Sequence, residues 1–421
     1  MEANKALFFR PKRKISDYRR GLWAATMEGF PAIVVLQLLG GPFLTGYLLF
    51  LGATSEQIGI VLAVTTLVNI VQLGAAVAMQ KIKSRKMTLV LFGSMHRLLW
   101  VSTGLIPFVL PQVWWVDAYI VLYFLAFLSN GIGSVVWTSM MGDMVPAAVR
   151  GKYIGIRNTI VWAIGGVCIY AGGQILEKYP GAEGFHLIYI ICAICTVLNI
   201  IAFFFYPNPP FAKSTELDIR GMLRRPFQDA MFRRAVLFLS AYLLVQGLAV
   251  PFFNFVMLDV LKLGYSLVSM YTLLMTLVMM VSYYLWGALN SKYSTQLLLL
   301  WSLPFIGLSC LLWGGIAFLP ALLVLGAVHI LLGIGTGGFN LLAFNFIIGD
   351  TPKSERPMFI AVYSALTGIA GFIGPLLGGV IFKHAANWPE WLQQYGICAI
   401  TGLLLLMYAA AGKYVFGKKT A

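Results

Sequence analysis

Twelve predominantly apolar stretches, separated by short polar punctuation, fill almost the whole sequence. They run approximately over 23–51, 57–80, 87–109, 113–141, 154–175, 186–207, 234–258, 267–289, 297–319, 321–349, 357–382 and 393–415. A hydrocarbon core about 30 Å thick is crossed by about 20 residues of helix, so each stretch is long enough to span it. In lipid only a helix or a closed barrel satisfies its own backbone, and barrel strands alternate in polarity over about 10 residues, as these stretches do not. The pattern predicts an all-α integral membrane protein with twelve transmembrane helices. Composition agrees, since 60% of the 421 residues are apolar and only 11% are charged, which excludes a soluble enzyme or a disordered chain.

The chain has 30 Lys and Arg against 15 Asp and Glu, a formal charge of +15. With these spans, 26 of the 30 cations flank helices on the side of the N-terminus, and only Lys178, Lys262 and Lys383 lie opposite, with Arg97 inside a span. The positive-inside rule then places both termini in the cytoplasm of a bacterial-type inner membrane. The excess charge is a topology signal, not a nucleic-acid surface, and the lipid bilayer is the expected partner. Residues 1–22 are too basic for a removable signal sequence. All five cysteines fall inside spans and read as small buried residues, with no metal site and no cofactor implied.

The polar interval after Pro207 divides the chain into a basic N-terminal segment (1–22), a six-helix bundle (23–207), a linker (208–233), a second six-helix bundle (234–415) and a tail (416–421). Span four ends in Met141-Gly142-Asp143 and span ten in Ile348-Gly349-Asp350, both pairs separated by 207 residues. Each acid is followed by a Pro and an Arg, Pro146 and Arg150 in the first copy and Pro352 and Arg356 in the second. Parallel duplication of a six-span unit explains the match and predicts two pseudo-symmetric bundles.

Six plus six spans, a basic central loop, a cation-rich segment after span two and a related segment, Gly287 to Ser294, after span eight together resemble the major facilitator superfamily (MFS). The superfamily's loop signature, Gly-x3-Asp-Arg-x-Gly-Arg-Arg, is degenerate here. Gln80 replaces the acid and Lys83 the second Gly, while Lys81, Arg85 and Lys86 keep the cations; Ser291 replaces the acid in the second copy. Glu28-Gly29-Phe30, Phe43-Leu44-Thr45-Gly46, His96-Arg97-Leu98 and the stretch from Asp143 to Arg157 resemble a bacterial branch of it. The resemblance implies a secondary transporter working by alternating access as a functional monomer, with no nucleotide hydrolysis. The sequence has no Gly-x4-Gly-Lys-Ser/Thr phosphate loop, and the four His (His96, His186, His329 and His384) are too scattered for a membrane-embedded enzyme. Export of an amphipathic or drug-like solute and uptake of a neutral nutrient are both compatible with it, as is a non-transporting sensor. A Gly-Pro-x-x-Gly-Gly string like the exporters' antiporter motif stands at Gly374 in span eleven instead of span five, and Phe127 takes the place of the antiporter Arg in span four.

The fold resembled places spans one, four, seven and ten around a central cavity. Helical spacing puts Asn130, Ser134 and Trp137 on one face of span four, Tyr242, Gln246 and Phe253 on one face of span seven, and His329, Thr336 and Asn340 on one face of span ten. Such a lining has little fixed charge and favours a neutral or amphipathic small organic solute. Charges inside a span are costly, so Glu28, Arg97 and His329 are the coupling candidates, protons being the candidate coupling ion. The resemblance sets span three at the periphery, which gives Arg97 a structural role. Asp143 sits at a helix C-terminus, where the dipole disfavours it, and needs a cation; Arg150 and Arg157 are nearest in sequence. With Asp350, Arg356, Lys81 and Arg85 these form the candidate cytoplasmic gate, serving as a latch or as a static staple.

Overall fold

The computed structural model describes residues 17–79, 82–145, 147–208, 219–349 and 356–416. The described residues are helical with no strands, and twelve helical segments among them are long and apolar enough to cross a membrane. The principal helices are α1 (Asp17–Leu38), α2 (Ser55–Met79), α3 (Arg85–Ser102), α4 (Trp115–Met144), α5 (Ala147–Lys178) and α6 (Ala182–Phe204), then α7 (Ala230–Gln246), α8 (Tyr265–Asn290), α9 (Thr295–Leu312), α10 (Ala321–Gly349), α11 (Arg356–Ala385) and α12 (Ile397–Phe416).

Three of the apolar stretches are interrupted and then resume as helix, each with a Gly or Pro close to the interruption. The first stretch is two helices, α1 and Gly41–Phe50, because Gly41 takes φ +53° and Pro42 opens the second helix. A left-handed backbone is free for Gly and costs other residues roughly 1–2 kcal/mol. The third stretch passes through a 3-10 turn at Thr103–Leu105 into the short helix Ile106–Val109, which contains Pro107. The seventh breaks after Gln246 and resumes through the 3-10 turn Val250–Phe252, which contains Pro251, into a wide turn at Val256–Val260. A short basic helix, Ile219–Gln228, lies in the interval between the halves.

Helix neighbours repeat with an offset of six. Helix α1 packs on α5 and α6 as α7 does on α11 and α12; α4 packs on α2 and α3 as α10 does on α8 and α9; α3 meets α6 as α9 meets α12. The two halves meet through α2 with α11 and α5 with α8, which are also equivalent under the offset. This is the arrangement of two related six-helix bundles.

The interface is fastened at the end remote from the cation-rich side. There Ser55 Oγ donates to Gly379 O at 3.3 Å, Lys383 pairs with Glu56, Gln174 Nε2 donates to Ser266 Oγ at 2.7 Å, and Ser266 N donates to Glu177 Oε2 at 3.3 Å. Toward the cation-rich side α5 and α8 part, and Asn158, Trp162, Met279, Met280 and Tyr283 border a cleft of about 330 Å³. These cross-interface bonds lie at the far end, and the α5–α8 cleft lies toward the cation-rich end.

Gly41→Ala forces a side chain into the left-handed region and is expected to destabilise the protein by about 1 kcal/mol. A lower Tm in detergent with an unchanged helical CD spectrum is the expected result.

Candidate functional site

A chamber of about 290 Å³ opens inside the first half, walled by α1, α3, α4, α5 and α6. Its charged residues are Glu28, Arg97 and Arg157, and Asn130, Ser134 and Trp137 line it as well. Asn158 and Trp162 border both this chamber and the cleft between α5 and α8, so the two spaces share a wall.

Glu28 is buried, with its carboxylate 3.5 Å from Arg157. Asn199 Nδ2 donates to the Glu28 carbonyl at 2.9 Å and to Glu28 Oε1 at 3.3 Å, while Arg97 Nε donates to Asn199 Oδ1 at 3.3 Å. One amide on α6 therefore joins the carboxylate of α1 to the guanidinium of α3, and having both its ends bonded fixes its orientation. Tyr206 OH approaches Glu28 Oε2 at 3.5 Å and accepts from Trp137 Nε1 at 3.0 Å. Arg157 Nε also donates to Ala25 O at 2.9 Å, and the guanidinium lies over the Trp137 ring at 5.5 Å, a cation–π contact. Gly29 makes this approach possible, since a Cβ there would stand 2.7 Å from an Arg157 terminal nitrogen.

The sequence expectations are corrected at several points. Arg157 is not the partner of Asp143; it is the partner of Glu28. Asp143 pairs with Arg85 at 2.7 Å, and Arg85 also donates to Ser139 Oγ at 2.7 Å. Both charges stand at unfavourable dipole ends, Arg85 at the start of α3 and Asp143 in the last turn of α4, so pairing relieves both. Arg97 is not confined to the periphery, because α3 turns it into the chamber. Tyr242 and Phe253 do not share a cavity face, since the chain break after Gln246 ends the helical register between them. Tyr242 OH donates to Leu303 O at 2.7 Å, and Phe253 packs on Trp313 with ring centres 4.8 Å apart, both inside the second half. His329 is buried, with Nδ1 at 2.7 Å from Leu325 O and its ring stacked on Tyr271, as a helix-packing His would be.

Other candidates keep exposed or polar positions. Asn340 is exposed and donates to Tyr283 OH at 3.4 Å, Thr336 is half-buried, and Gln246 Oε1 is buried without a protein hydrogen-bond partner. Lys81 and Asp350 lie outside the described residues, as do the side chains of Arg150 and Arg356. Among the described residues no group of three or more His, Cys, Asp or Glu is placed to hold a metal ion. Sequence reasoning missed Asn199, Tyr206 and the partner of Arg157. An Asn in the otherwise apolar run Val197-Leu198-Asn199-Ile200-Ile201 was the available signal.

Fold and site together define a twelve-helix membrane protein of two bundles with a polar chamber beside the cleft between them. Residues 29–351 match the Major Facilitator Superfamily, and the chain belongs to that superfamily. A multi-drug resistance efflux pump PmrA homolog of Lactococcus lactis subsp. lactis (strain IL1403) is 26% identical over 284 residues, 64% of this chain and 66% of that protein. The efflux pump aflT of Aspergillus parasiticus is 30% identical over 127 residues, 29% of this chain and 24% of that protein. The matches thus span just under two thirds of the length of the first relative and about a quarter of the second. Among solved structures, the nucleoside transporter NupG aligns with a TM-score of 0.67 at 13% identity, covering 96% of this chain and 100% of that one. A D-xylose-proton symporter aligns with a TM-score of 0.71 at 11% identity, covering 93% and 96%. At such identities the likeness is one of fold.

Arg157→Leu removes one partner of a buried pair and leaves Glu28 uncompensated, at a cost of roughly 3 kcal/mol. A lower Tm is expected, partly restored in the Glu28→Gln/Arg157→Leu double variant. Equal Tm values for the single and double variants would show that the pair is not coupled.

Proposed function

We propose that the chain is a secondary active transporter that exports an amphipathic, drug-like organic solute by alternating access, with proton exchange at Glu28 as the coupling step. The protein works as a monomer in a bacterial-type cytoplasmic membrane with both termini in the cytoplasm. The observation that carries this reading is the position of the Glu28–Arg157 pair, in a chamber that shares Asn158 and Trp162 with the cleft between the two halves. A rocking motion of two bundles around such a site is the general form of alternating access. The efflux pumps among the relatives support export, as do the Trp, Tyr and Met side chains of the cleft.

Helix α5 connects the proton site to the interface. It carries Arg157 near one end and Gln174 and Glu177 near the other, and these last two hold α8 at the fastened end. Neutralising Glu28 removes the ion pair and leaves Arg157 tied to α1 through its Nε bond to Ala25 O alone. The terminal nitrogens are then free to re-pair, and the hold of α5 on α1 is weakened. Because α5 is one continuous helix, that change reaches the contact with Ser266. The Arg85–Asp143 pair, which fixes α3 to α4 at the cation-rich end, acts as a latch that breaks as the halves move against each other.

Proteoliposome flux tests the reading. With a pH gradient of about one unit, worth about 1.4 kcal/mol, the native protein is expected to accumulate at least one compound from a panel of anionic, neutral and cationic amphipaths. Glu28→Gln is expected to abolish gradient-driven accumulation while exchange of labelled for unlabelled compound continues. Gradient-driven flux surviving in Glu28→Gln would refute the proton role, and the absence of flux for every compound would favour a sensor. Asp143→Asn is expected to slow net flux without changing its pH dependence, because it weakens the latch and leaves the proton site intact.

A further inference from the structure

The chamber holds more positive than negative charge. Of its lining residues Glu28 is the only acid, whereas Arg97 and Arg157 both carry guanidinium groups. Glu28 is matched to Arg157 by the ion pair. Arg97 reaches that carboxylate only through the neutral amide of Asn199. The remaining groups facing Glu28 do not supply a second negative charge: Asn199 comes from α6, Tyr206 from just beyond its end, Trp137 from α4 and His96 from α3, the last with Nδ1 at 3.0 Å from Ala126 O. An unbalanced cation inside a membrane-spanning bundle costs several kcal/mol unless a counter-charge or water reaches it. The chamber is therefore built to receive an anion.

The adjoining cleft has the opposite character. Thr276, Met279, Met280 and Tyr283 of α8 face Trp162 of α5 across about 330 Å³. Methionine side chains adapt to irregular apolar shapes, and aromatic faces accept ring systems. Trp162 and Asn158 belong to both spaces, so one molecule can place a charged end against the arginines and an apolar body against α8.

We infer that the substrate is an amphipathic organic anion, an aryl or alkyl carboxylate or its sulfonate equivalent, whose acidic group is held by Arg97 and Arg157 while its apolar body lies in the α5–α8 cleft. This rests on the proposed transport pathway and narrows its cargo. It also gives the coupling a physical form, since the substrate's acid and the Glu28 carboxylate are rival partners for the Arg157 guanidinium. Neutralising Glu28 frees that guanidinium for the substrate. The neutral or amphipathic organic solute expected from the helix faces is narrowed here to an amphipathic anion, because Glu28, Arg97 and Arg157 all line the chamber.

Titration calorimetry on the full chain in nanodiscs of neutral lipid, with empty nanodiscs as the partition control, tests this directly. The probes are 2-naphthylacetate, decanoate and 2-naphthalenesulfonate, with methyl 2-naphthylacetate and (2-naphthylmethyl)trimethylammonium as neutral and cationic counterparts. At least one acid is expected to bind about ten-fold tighter than the ester, with the ammonium weakest. Arg157→Gln and Arg97→Gln are each expected to weaken acid binding about ten-fold and to leave the ester unchanged. Arg157→Lys and Arg97→Lys, which keep the charge, retain part of the affinity and serve if the Gln variants do not fold. Glu28→Gln is expected to tighten acid binding. Ester or ammonium binding as tight as the acids, no binding of any acid, or acid affinity indifferent to both arginines would overturn the inference. Inorganic phosphate binding as tightly as 2-naphthylacetate would overturn its amphipathic part. Binding is read without a gradient, so these failures leave the flux reading standing, whereas acid binding without any flux refutes transport and leaves the anion site intact.

Discussion

A buried carboxylate set against a guanidinium across two membrane-spanning helices governs the first half of this molecule. Either charge alone is costly at that depth, and their pairing goes with the close approach of α1 and α5 that Gly29 permits. The neighbouring polar groups follow from the same need. Asn199, Tyr206 and Trp137 are polar side chains in apolar spans, and each is spent on the carboxylate or on a group that touches it. The pair is long at 3.5 Å, and the carboxylate shares its remaining capacity with neutral donors. Such a pair holds two helices in place while leaving the guanidinium open to another acid.

The location of this pair matters because α5 belongs both to the first bundle and to the interface. Its Arg157 end is tied to α1, and its Gln174 and Glu177 end is tied to α8. Between them Asn158 and Trp162 form the wall that the chamber and the cleft have in common. A change of charge at Glu28 therefore acts on a rigid element that two sites share, which is the physical requirement for coupling them. The Arg85–Asp143 pair stands apart, fixing α3 to α4 at the cation-rich end, where each charge compensates the other's unfavourable helix dipole.

Much of the fold was legible in the sequence because lipid imposes a length and a polarity that few other environments do. Twelve apolar stretches could be read directly, and the interruptions at Gly41-Pro42, Pro107 and Pro251 have local causes visible in the residues themselves. The site was legible only in part. Glu28 and Arg97 stood out as charges within spans, and Trp137, Asn130 and Ser134, placed on one helix face by their spacing, line a chamber inside the first half. Pairing was not legible. Nearness in sequence suggested Arg150 or Arg157 for Asp143, but α3 brings Arg85 to it from 58 positions away. Helical spacing placed Tyr242 with Phe253, and it failed because spacing gives a common face only while the helix continues. It also cannot say toward which neighbour a face turns, which is why His329 lies against Tyr271 within the second half.

The central claim is that the charge state of Glu28 sets the relative position of the two halves. Spin-label distance measurements test it most directly, with one label pair at Met87 and Tyr293 on the cation-rich side and another at Glu183 and Phe318 on the far side, in a background lacking the native cysteines. All four positions are exposed, and each pair has one member in each half. Glu28→Gln, which fixes the neutral side chain, is expected to shift both distance distributions from those of the native protein, with the two ends moving in opposite senses. Distributions in Glu28→Gln identical to those of the native protein at both ends would contradict the account.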